Sequence, residues 1–351
     1  VTTHPALVAA TVRWLKRGGA ARVLVGDSPG WQAQDFVGKK SGIREAAEES
    51  GAEWADFSRG REVDNPEGRL MKSFNLAAPL SDADLLISLP KLKTHELMYY
   101  SGAIKNLFGL VPGLEKSAFH LRFPRREDFA AMLADLALAA APDFTIMDAV
   151  VAMEGPGPNN GRPKPLGLLL ASRDPLAIDW TASSLIGYEP ENVPYLAELM
   201  ARAPGGLRGD EGPARSRWIS SAGEISIAGL SLAEARPASF ELIPLVKETD
   251  FFRKRLPPWL HRFVKDFLVP RPVFDHGKCV RCGGCVNICP AKALSLKPAK
   301  GGSHGGGSHG GGSHGGGSRP RIEIDYRACL RCYCCHEVCP ENAIRLVKRI
   351  F

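Results

Sequence analysis

The residues best suited to chemistry in this chain are its cysteines, and all nine of them lie beyond position 278 of 351. Eight of them form two copies of the pattern C-x2-C-x2-C-x3-C, and a proline follows each copy. A [4Fe–4S] cluster is held by four soft thiolates that converge on one centre. The spacing therefore predicts two [4Fe–4S] clusters in the C-terminal part of the chain.

In two-cluster proteins with this pattern, the fourth cysteine of each copy ligates the cluster that the other copy mainly holds. We therefore expect one cluster to be held by Cys279, Cys282, Cys285 and Cys339. The other cluster is expected to be held by Cys329, Cys332, Cys335 and Cys289. The ninth cysteine, Cys334, occupies the place of Gly284 in the first copy, and we expect it to lie near a cluster without ligating it.

Disulfide bonds and zinc are the two other common uses of clustered cysteines. Disulfide bonds are disfavoured because the first 278 residues contain no cysteine. Zinc knuckles also use C-x2-C, but a duplicated four-cysteine run with a trailing proline is not their pattern. Clusters and free thiols are typical of a reducing compartment, so we expect a cytoplasmic protein.

The duplication extends beyond the cysteines. A shift of 50 residues superimposes Asp275 on Asp325 and Ala293 on Ala343, so each copy is predicted to run strand, cysteine loop, short helix and strand. Residues 272–351 resemble the bacterial two-cluster ferredoxins, a resemblance that implies a small α+β domain carrying single electrons at low potential. A Gly/Ser/His repeat at 301–318 separates the copies. It is typical of a solvated linker, and its three histidines are the basis of an alternative, weak binding of Ni²⁺ or Zn²⁺.

Charge is distributed unevenly along the chain. Residues 251–351 contain 18 Lys and Arg against 6 Asp and Glu, whereas residues 1–250 contain 27 against 32. The basic module is consistent with an acidic redox partner, with docking on the acidic first part of the chain, or with an anionic surface. Nucleic acid is not expected because no stacking or groove-binding motif accompanies the charge. No apolar run is long enough for a transmembrane helix. The connector at 251–271 is basic and amphipathic, which is consistent with packing onto a domain or with peripheral membrane contact.

Residues 1–250 are predicted to form an α/β domain, with a mostly parallel sheet and flanking helices, because apolar runs alternate with helical patterns. Strands are predicted at 22–26, 53–57, 85–89, 144–147 and 166–171. Helices are predicted at 43–50, 127–140, 174–186 and from Pro5 to about residue 17, the last of them capped by Thr2 or Thr3.

Six segments of this domain carry a resemblance to the family called domain of unknown function 362. They are THPALV at 3–8, GDSPG at 26–30, PKLKTH at 90–95, GAIKNLFGLVPG at 102–113, MEGPGPNNG at 153–161 and ASRDPLAID at 171–179. The resemblance covers nearly all of 1–250, and members are often fused to a two-cluster ferredoxin. A further strand and loop usually precede the first motif in this family, which implies an N-terminal truncation here. The resemblance implies no particular reaction.

Polar side chains follow three of the predicted strands, in loops at Asp27, at 91–95 and at 148–161. Ligands of open α/β sheets bind outside the carboxyl ends of the strands, so we expect these loops to converge. The predicted contacts to a small anionic substrate are Lys91, Lys93, Lys105, Asn106, Asp27 and Asp148. The predicted proton donors are His95 and His120, because imidazole titrates near neutral pH.

Several neighbouring residues extend this candidate site. Lys116 and Arg122 add positive charge, and Glu154 and Asp179 could orient the cations or hold a metal. The alternative is that the lysines form a solvated face and that the histidines are satisfied surface groups. No dinucleotide fingerprint or P-loop occurs, so a nucleotide ligand is not expected.

These features lead to one hypothesis and two alternatives for function. The hypothesis is an iron–sulfur redox protein that passes single electrons through two clusters to a small anionic substrate in the α/β domain. The first alternative is a pure electron carrier whose α/β domain docks a partner enzyme. The second is a non-redox enzyme with structural or sensory clusters.

Overall fold

The computed structural model describes residues 2–30, 32–158, 160–206, 218–245, 269–297 and 320–347. The chain divides into two compact units, Val1–Leu245 and Val246–Phe351. Residues 251–268 of the predicted connector and the whole insert at 301–318 lie outside the described residues. Within the described ranges, no helix is long and apolar enough to cross a membrane.

The first unit alternates helices and strands along its length. In chain order the elements are α1 (Pro5–Arg17), β1 (Leu24–Val25), α2 (Gln34–Lys40), α3 (Ile43–Glu49), β2 (Glu53–Trp54), β3 (Gly60–Asp64), β4 (Ser73–Ala77), β5 (Ile87–Ser88), β6 (Lys91–His95), β7 (Tyr99–Ser101), α4 (Ala103–Asn106), α5 (Glu115–Arg122), α6 (Arg126–Ala140), β8 (Phe144–Glu154), β9 (Arg162–Ser172), α7 (Pro175–Ile186), α8 (Pro194–Gly206) and α9 (Leu232–Ala235). The predicted α/β class is confirmed.

The main sheet is built around β8. On one edge of β8 the strands β5 and β6 follow each other and pair with it in parallel. Strand β9 lies along the opposite edge and pairs antiparallel, and β7 pairs antiparallel with β6. The centre of the sheet is therefore parallel, as predicted, and two antiparallel strands flank it. Two smaller sheets pair β1 with β2 in parallel and β3 with β4 antiparallel.

Two predicted loops are strands in the structure. The segment 91–95 is strand β6. Pro90, which precedes it, has no backbone N–H to donate, but its carbonyl still accepts from the N–H of Asp148 at 2.8 Å, so the pairing with β8 begins there. Asp148 does not end a strand, because β8 continues to Glu154 and forms a hairpin with β9. The exposed Val150 and Val151 interrupt the buried pattern that the sequence prediction relied on.

Helix α6 is the centre of the core, and its residues from Phe129 to Ala140 are all buried. The one acid in that run, Asp135, accepts hydrogen bonds from the backbone N–H groups of residues 69–71 and from the guanidinium of Arg202. A buried carboxylate needs such partners to offset its lost hydration. Helix α1 also differs from prediction at its start: His4 is the N-cap, and Thr3 instead donates to the carbonyl of Leu89.

The second unit shows the predicted repeat of strand, cysteine loop, short helix and strand. Its elements are β10 (Arg271–Phe274), α10 (Gly284–Ile288), β11 (Leu294–Lys297), β12 (Arg321–Ile324), α11 (Cys334–Glu337) and β13 (Ile344–Val347). The strands pair between copies, β10 with β13 and β11 with β12, both antiparallel. This exchange places the end of each copy beside the beginning of the other.

Candidate functional site

Two cavities in the second unit are lined by cysteines. The first is lined by Cys279, Cys282, Cys285 and Cys339. The second is lined by Cys289, Cys329, Cys332 and Cys335, together with Cys334, and both are partly open to solvent. Apart from Cys334, each cavity therefore receives three cysteines from one copy and a fourth from the other, in the two sets that the sequence pattern predicts.

The chemistry of the cavities fits iron–sulfur clusters. Backbone N–H groups donate to the sulfurs of Cys289 and Cys339, from Ala293 at 3.3 Å and from Ala343 at 3.2 Å, and such bonds favour thiolates. Burial raises the pKa of the Cys285 thiol to about 11, so a bound cation is needed to keep it deprotonated near neutral pH. Within the part of the chain that the structure describes, no group of three or more His, Cys, Asp or Glu side chains is arranged around a single metal ion.

The loops that carry the cysteines share an unusual backbone. In the first loop Arg281 and Gly283 have positive φ values of 61° and 76°, and in the second Arg331 and Tyr333 have 60° and 64°. Alternation of left-handed residues turns successive N–H groups toward a concavity, a geometry found at anion and iron–sulfur sites. Glycine adopts this conformation at little cost, whereas Tyr333 holds it only because the surrounding structure requires it.

In the first unit, Lys91 and Asp148 are brought together but pair with each other. The amine of Lys91 lies 2.5 Å from the carboxylate of Asp148, and both side chains are buried. Burial opposes ionisation of Asp148, but its bonds to Lys91 and to the N–H of His4 hold the pKa of the carboxyl below its usual value. Lys91 also donates to the carbonyl of Val151 at 3.1 Å. The charge of Lys91 is therefore already neutralised inside the sheet.

The two candidate histidines are both buried, in different surroundings. The Nδ1 atom of His95 accepts from the N–H groups of Leu97 and Met98, so a neutral His95 carries its proton on Nε2. His120 stacks on the ring of Phe129 with centroids 4.4 Å apart. Burial, with a smaller effect of Lys105, lowers the pKa of His120 to about 3, so this imidazole is neutral near pH 7 and is a poor proton donor.

A second group of predicted residues does converge, at the loop after β1. The hydroxyl of Ser28 accepts from the N–H of Gly113 at 2.7 Å, and its N–H donates to the carbonyl of Gly109 at 3.2 Å. These bonds dock the GDSPG loop on the segment that links α4 to α5. At Gly109 a side chain would meet the carboxylate of Asp27 at 2.4 Å, which explains a glycine at this close approach.

Two lysines lie beside this docked loop. Lys116 donates to the carbonyl of Ser28, and burial lowers the pKa of its amine to about 8, an effect that Asp27 opposes and Lys105 increases. Asn106, exposed at the end of α4, donates to the hydroxyl of Ser88 at 3.0 Å. We call this group the loop-27 cluster, and it consists of Asp27, Ser28, Ser88, Lys105, Asn106 and Lys116.

The remaining candidates have structural partners. Asp179 accepts from the N–H groups of Ala103 and Ile104 at 2.6 and 2.9 Å and so caps α4, which carries Lys105. Burial raises the pKa of Asp179 to about 7. Glu154 lies 3.7 Å from Lys164 on β9. Lys93 is half-buried on β6.

Two residues near these groups are not among the predicted site residues. Ser88 ends β5 and bonds Asn106, and its position at the carboxyl end of a buried strand was the available signal. Glu96 follows His95, and burial raises the pKa of its carboxyl to about 7. The N–H of Glu96 donates to the carbonyl of Gly157, in the hairpin between β8 and β9, at 3.1 Å. Because this hairpin is distant in sequence, nothing in the residues around Glu96 indicates that its carboxyl is buried.

Comparison with known proteins agrees with both units. The family described as "Domain of unknown function (DUF362)" matches residues 1–184, and a "4Fe-4S dicluster domain" matches residues 271–340. The chain is 34% identical over 199 residues to the thylakoid-associated protein sll1697 of Synechocystis sp.. That alignment covers 56% of this chain and 60% of the relative. No solved structure matches the chain. The chain therefore belongs to the DUF362 family, as a member that also carries a 4Fe-4S dicluster domain of the ferredoxin kind.

Proposed function

We propose that the chain transfers single electrons through two [4Fe–4S] clusters. Cys279, Cys282, Cys285 and Cys339 would hold the first, and Cys329, Cys332, Cys335 and Cys289 would hold the second. The observation that carries the proposal is the pair of cavities, each lined by the first three motif cysteines of one copy and the fourth motif cysteine of the other. Bound clusters supply one-electron redox chemistry, and the residues around them tune the potential through hydrogen bonds and solvent exposure.

We further propose that the α/β unit binds a small anion at the loop-27 cluster. Lys105 and Lys116 are close enough for each amine to affect the other, and Asp27 is the acid that accompanies them. Amide and hydroxyl groups from Asn106 and Ser88 supply neutral hydrogen bonds beside the two cations. Carboxylates and phosphates are the ligands that such a combination recognises.

The proposed acceptor of the electrons is this bound anion. The role of Lys91 and Asp148 changes in this proposal, because their ion pair supports the sheet rather than the substrate. His120 stacks on Phe129 of α6 and, being neutral near pH 7, donates no proton in this proposal. Lys93 and His95 lie on β6, outside the loop-27 cluster, and take no part in the proposed binding of the anion.

A second candidate function is that of an electron carrier whose α/β unit docks a partner enzyme. The observation that favours it is that Lys91, a predicted substrate contact, and His120, a predicted proton donor, are engaged inside the fold. In either case we propose an acidic redox partner, because residues 251–351 are strongly basic. We propose a cytoplasmic location, with membrane association as the alternative, because one relative is named for thylakoid association.

The experiment that separates the two candidates begins with anaerobic purification of the full-length protein. Mass spectrometry then identifies any small anion that co-purifies. If the isolated, chemically reduced protein converts that anion in a single turnover while its clusters are reoxidised, the oxidoreductase is supported. If the anion is absent and the protein passes electrons only to another protein, the carrier is supported.

A further inference from the structure

The two cysteine loops are related by the internal repeat, yet the structure covers them differently. In the first loop Cys282 is exposed, whereas its counterpart Cys332 is half-buried. Val280 beside it is 57% exposed, the highest value of any large apolar side chain described between 269 and 347, and its counterpart Leu330 is half-buried. The first loop thus presents a ligand and an apolar side chain to solvent.

The cause of the difference is in the residues that fill each loop. The first loop has Gly283 and Gly284, whereas the second has Tyr333 and Cys334 in the same places. Tyr333 is 3% exposed and donates to the carbonyl of Pro270 at 3.0 Å. This bond holds the residues just before β10 against the second loop. A glycine provides no such side chain.

The second loop is closed by two further side chains. Arg331 is 5% exposed and donates to the carbonyl of Val269 at 2.7 Å. His336 is 4% exposed, whereas Val286 at the equivalent place is half-buried. The side chains of the second loop are therefore more covered than those of the first, by one another and by the contacts with residues 269–270.

From this asymmetry, and on the basis of the proposed electron transfer, we propose that the first cluster is the port at which the chain exchanges electrons with other proteins. Electron transfer between proteins weakens steeply with distance, so the exposed edge at Cys282 is the favoured point of exchange. The second cluster receives its electrons from the first. In each exchange one electron leaves the cofactor of the reduced partner, which is oxidised, and reduces the first cluster by one electron.

The surface around the port also defines the partner. Val280 and Glu341 line the first cavity, and in the sequence Val280 lies between the exposed Lys278 and the half-buried Arg281, which donates to the carbonyl of Pro320 at 2.9 Å. An apolar centre with cations beside it is complementary to a one-electron redox protein whose cofactor edge is surrounded by carboxylates and a small apolar patch. We call residues 278–282 the port loop.

The test compares one cation from each copy. Lys278 directly precedes Cys279, and Arg327 lies just before Cys329, and both side chains are exposed. The full-length variants Lys278→Glu and Arg327→Glu are prepared with their clusters, and the rate of reduction by the anionic sulfur dioxide radical of dithionite is measured by anaerobic stopped flow. Each radical gives one electron and is oxidised to sulfite.

If the first cluster is the port, Lys278→Glu slows reduction about threefold or more at low salt, and high salt removes the difference, because steering by surface charge is screened. Arg327→Glu leaves the rate nearly unchanged. Equal effects of the two variants, or a larger effect of Arg327→Glu, would overturn the assignment. Should Lys278→Glu assemble less iron than the parent chain, Lys278→Gln gives the same comparison with a smaller change of charge.

A second readout does not depend on electron transfer. A soluble anionic chromium(III) complex shortens the electron-spin relaxation of clusters near the surface, and its effect on each EPR signal is compared in the parent chain and in Lys278→Glu. The port predicts stronger relaxation of the first cluster, and weaker relaxation in the variant. Equal relaxation of both clusters contradicts it. A chain that assembles no iron would instead contradict the proposed function itself.

Discussion

The amine of Lys91 lies 2.5 Å from the carboxylate of Asp148, and the same carboxylate oxygen accepts the backbone N–H of His4 at 2.8 Å. The side chains are 8% and 1% exposed. One buried ion pair thus connects β6, β8 and the start of α1, which are far apart in sequence. Residues that the sequence pattern assigned to a substrate are part of the framework that holds the sheet and helix together.

This ion pair leads to a prediction about stability. Lys91→Met should lower the free energy of unfolding by about 3–5 kcal/mol, because it leaves the carboxylate of Asp148 buried without its cation. The double variant Lys91→Met with Asp148→Asn should recover part of the loss, since both charges are then removed. The free energies of unfolding of the single and the double variant are measured by denaturing the full chain and monitoring a signal from the α/β unit. A single variant as stable as the parent would return Lys91 to the role of a ligand contact.

His120 provides a prediction about pH. Its pKa is about 3 in the folded chain because of burial, whereas an unfolded histidine has a pKa of about 6.5. Between these values the unfolded chain binds one more proton, so stability falls as the pH falls. His120→Phe removes this dependence and keeps the stacking on Phe129.

The measurement is the free energy of unfolding of parent and variant at pH 7 and pH 5. The parent should lose about 1–2 kcal/mol more than His120→Phe over that interval. Parallel stability curves would show that the pKa of His120 is the same in the folded and unfolded chain, and its role as a proton donor would have to be considered again.

The loop-27 cluster predicts salt-sensitive binding of anions. Lys105→Ala combined with Lys116→Ala should weaken the binding of phosphate or of a small dicarboxylate, because each charge-assisted contact is worth about 1.5–3 kcal/mol. Lys164→Ala is the matched control, since that lysine lies on β9 beside Glu154 and outside the cluster. Calorimetry at low and high salt measures the affinities. Equal affinities in the double variant and the control would mean that these lysines bind no anion.

The features predicted best from sequence are those that local spacing determines. The cysteine pattern, the repeat and the helices at α1, α3, α6 and α7 depend on neighbours in the chain, and they appear in the structure near their predicted bounds. The class of the sheet also followed from the alternation of apolar runs.

The features that sequence analysis missed depend on contacts between distant residues. The ion pair of Lys91 needs Asp148 on the neighbouring strand, and the stacking of His120 needs Phe129 on α6. A lysine and a histidine in a row of cations look like a ligand site until such partners are known. The covering of the second cysteine loop was equally hidden, because Tyr333 must reach the carbonyl of Pro270.

The insert at 301–318 is predicted to be dispensable for cluster assembly. Strands β11 and β12 pair antiparallel, with Lys297 opposite Arg321. The ends of the two strands therefore lie side by side, and a short hairpin loop is sufficient to join them. Deleting 301–318 should leave the iron content unchanged. A loss of iron on deletion would show that the histidines of the insert or its length contribute to assembly.

The assignment of ligands is tested by two cysteine variants. Cys289→Ser should damage the cluster held mainly by the second copy, because Cys289 lines that cavity. Cys334→Ser is the matched control: Cys334 lines the same cavity but stands at the place of Gly284, so the iron content should be unchanged. Damage confined to the first cluster in Cys289→Ser would mean that the ligands are not exchanged between the copies.

The central claim is that the chain holds two [4Fe–4S] clusters that carry single electrons, and the most direct measurement is iron and sulfide analysis with EPR during an anaerobic redox titration. Two clusters require about eight iron and eight sulfide per chain, and on reduction they should give two interacting S = 1/2 signals. About four iron per chain, stoichiometric zinc, or clusters that cannot be reduced within the range of biological potentials would contradict the account.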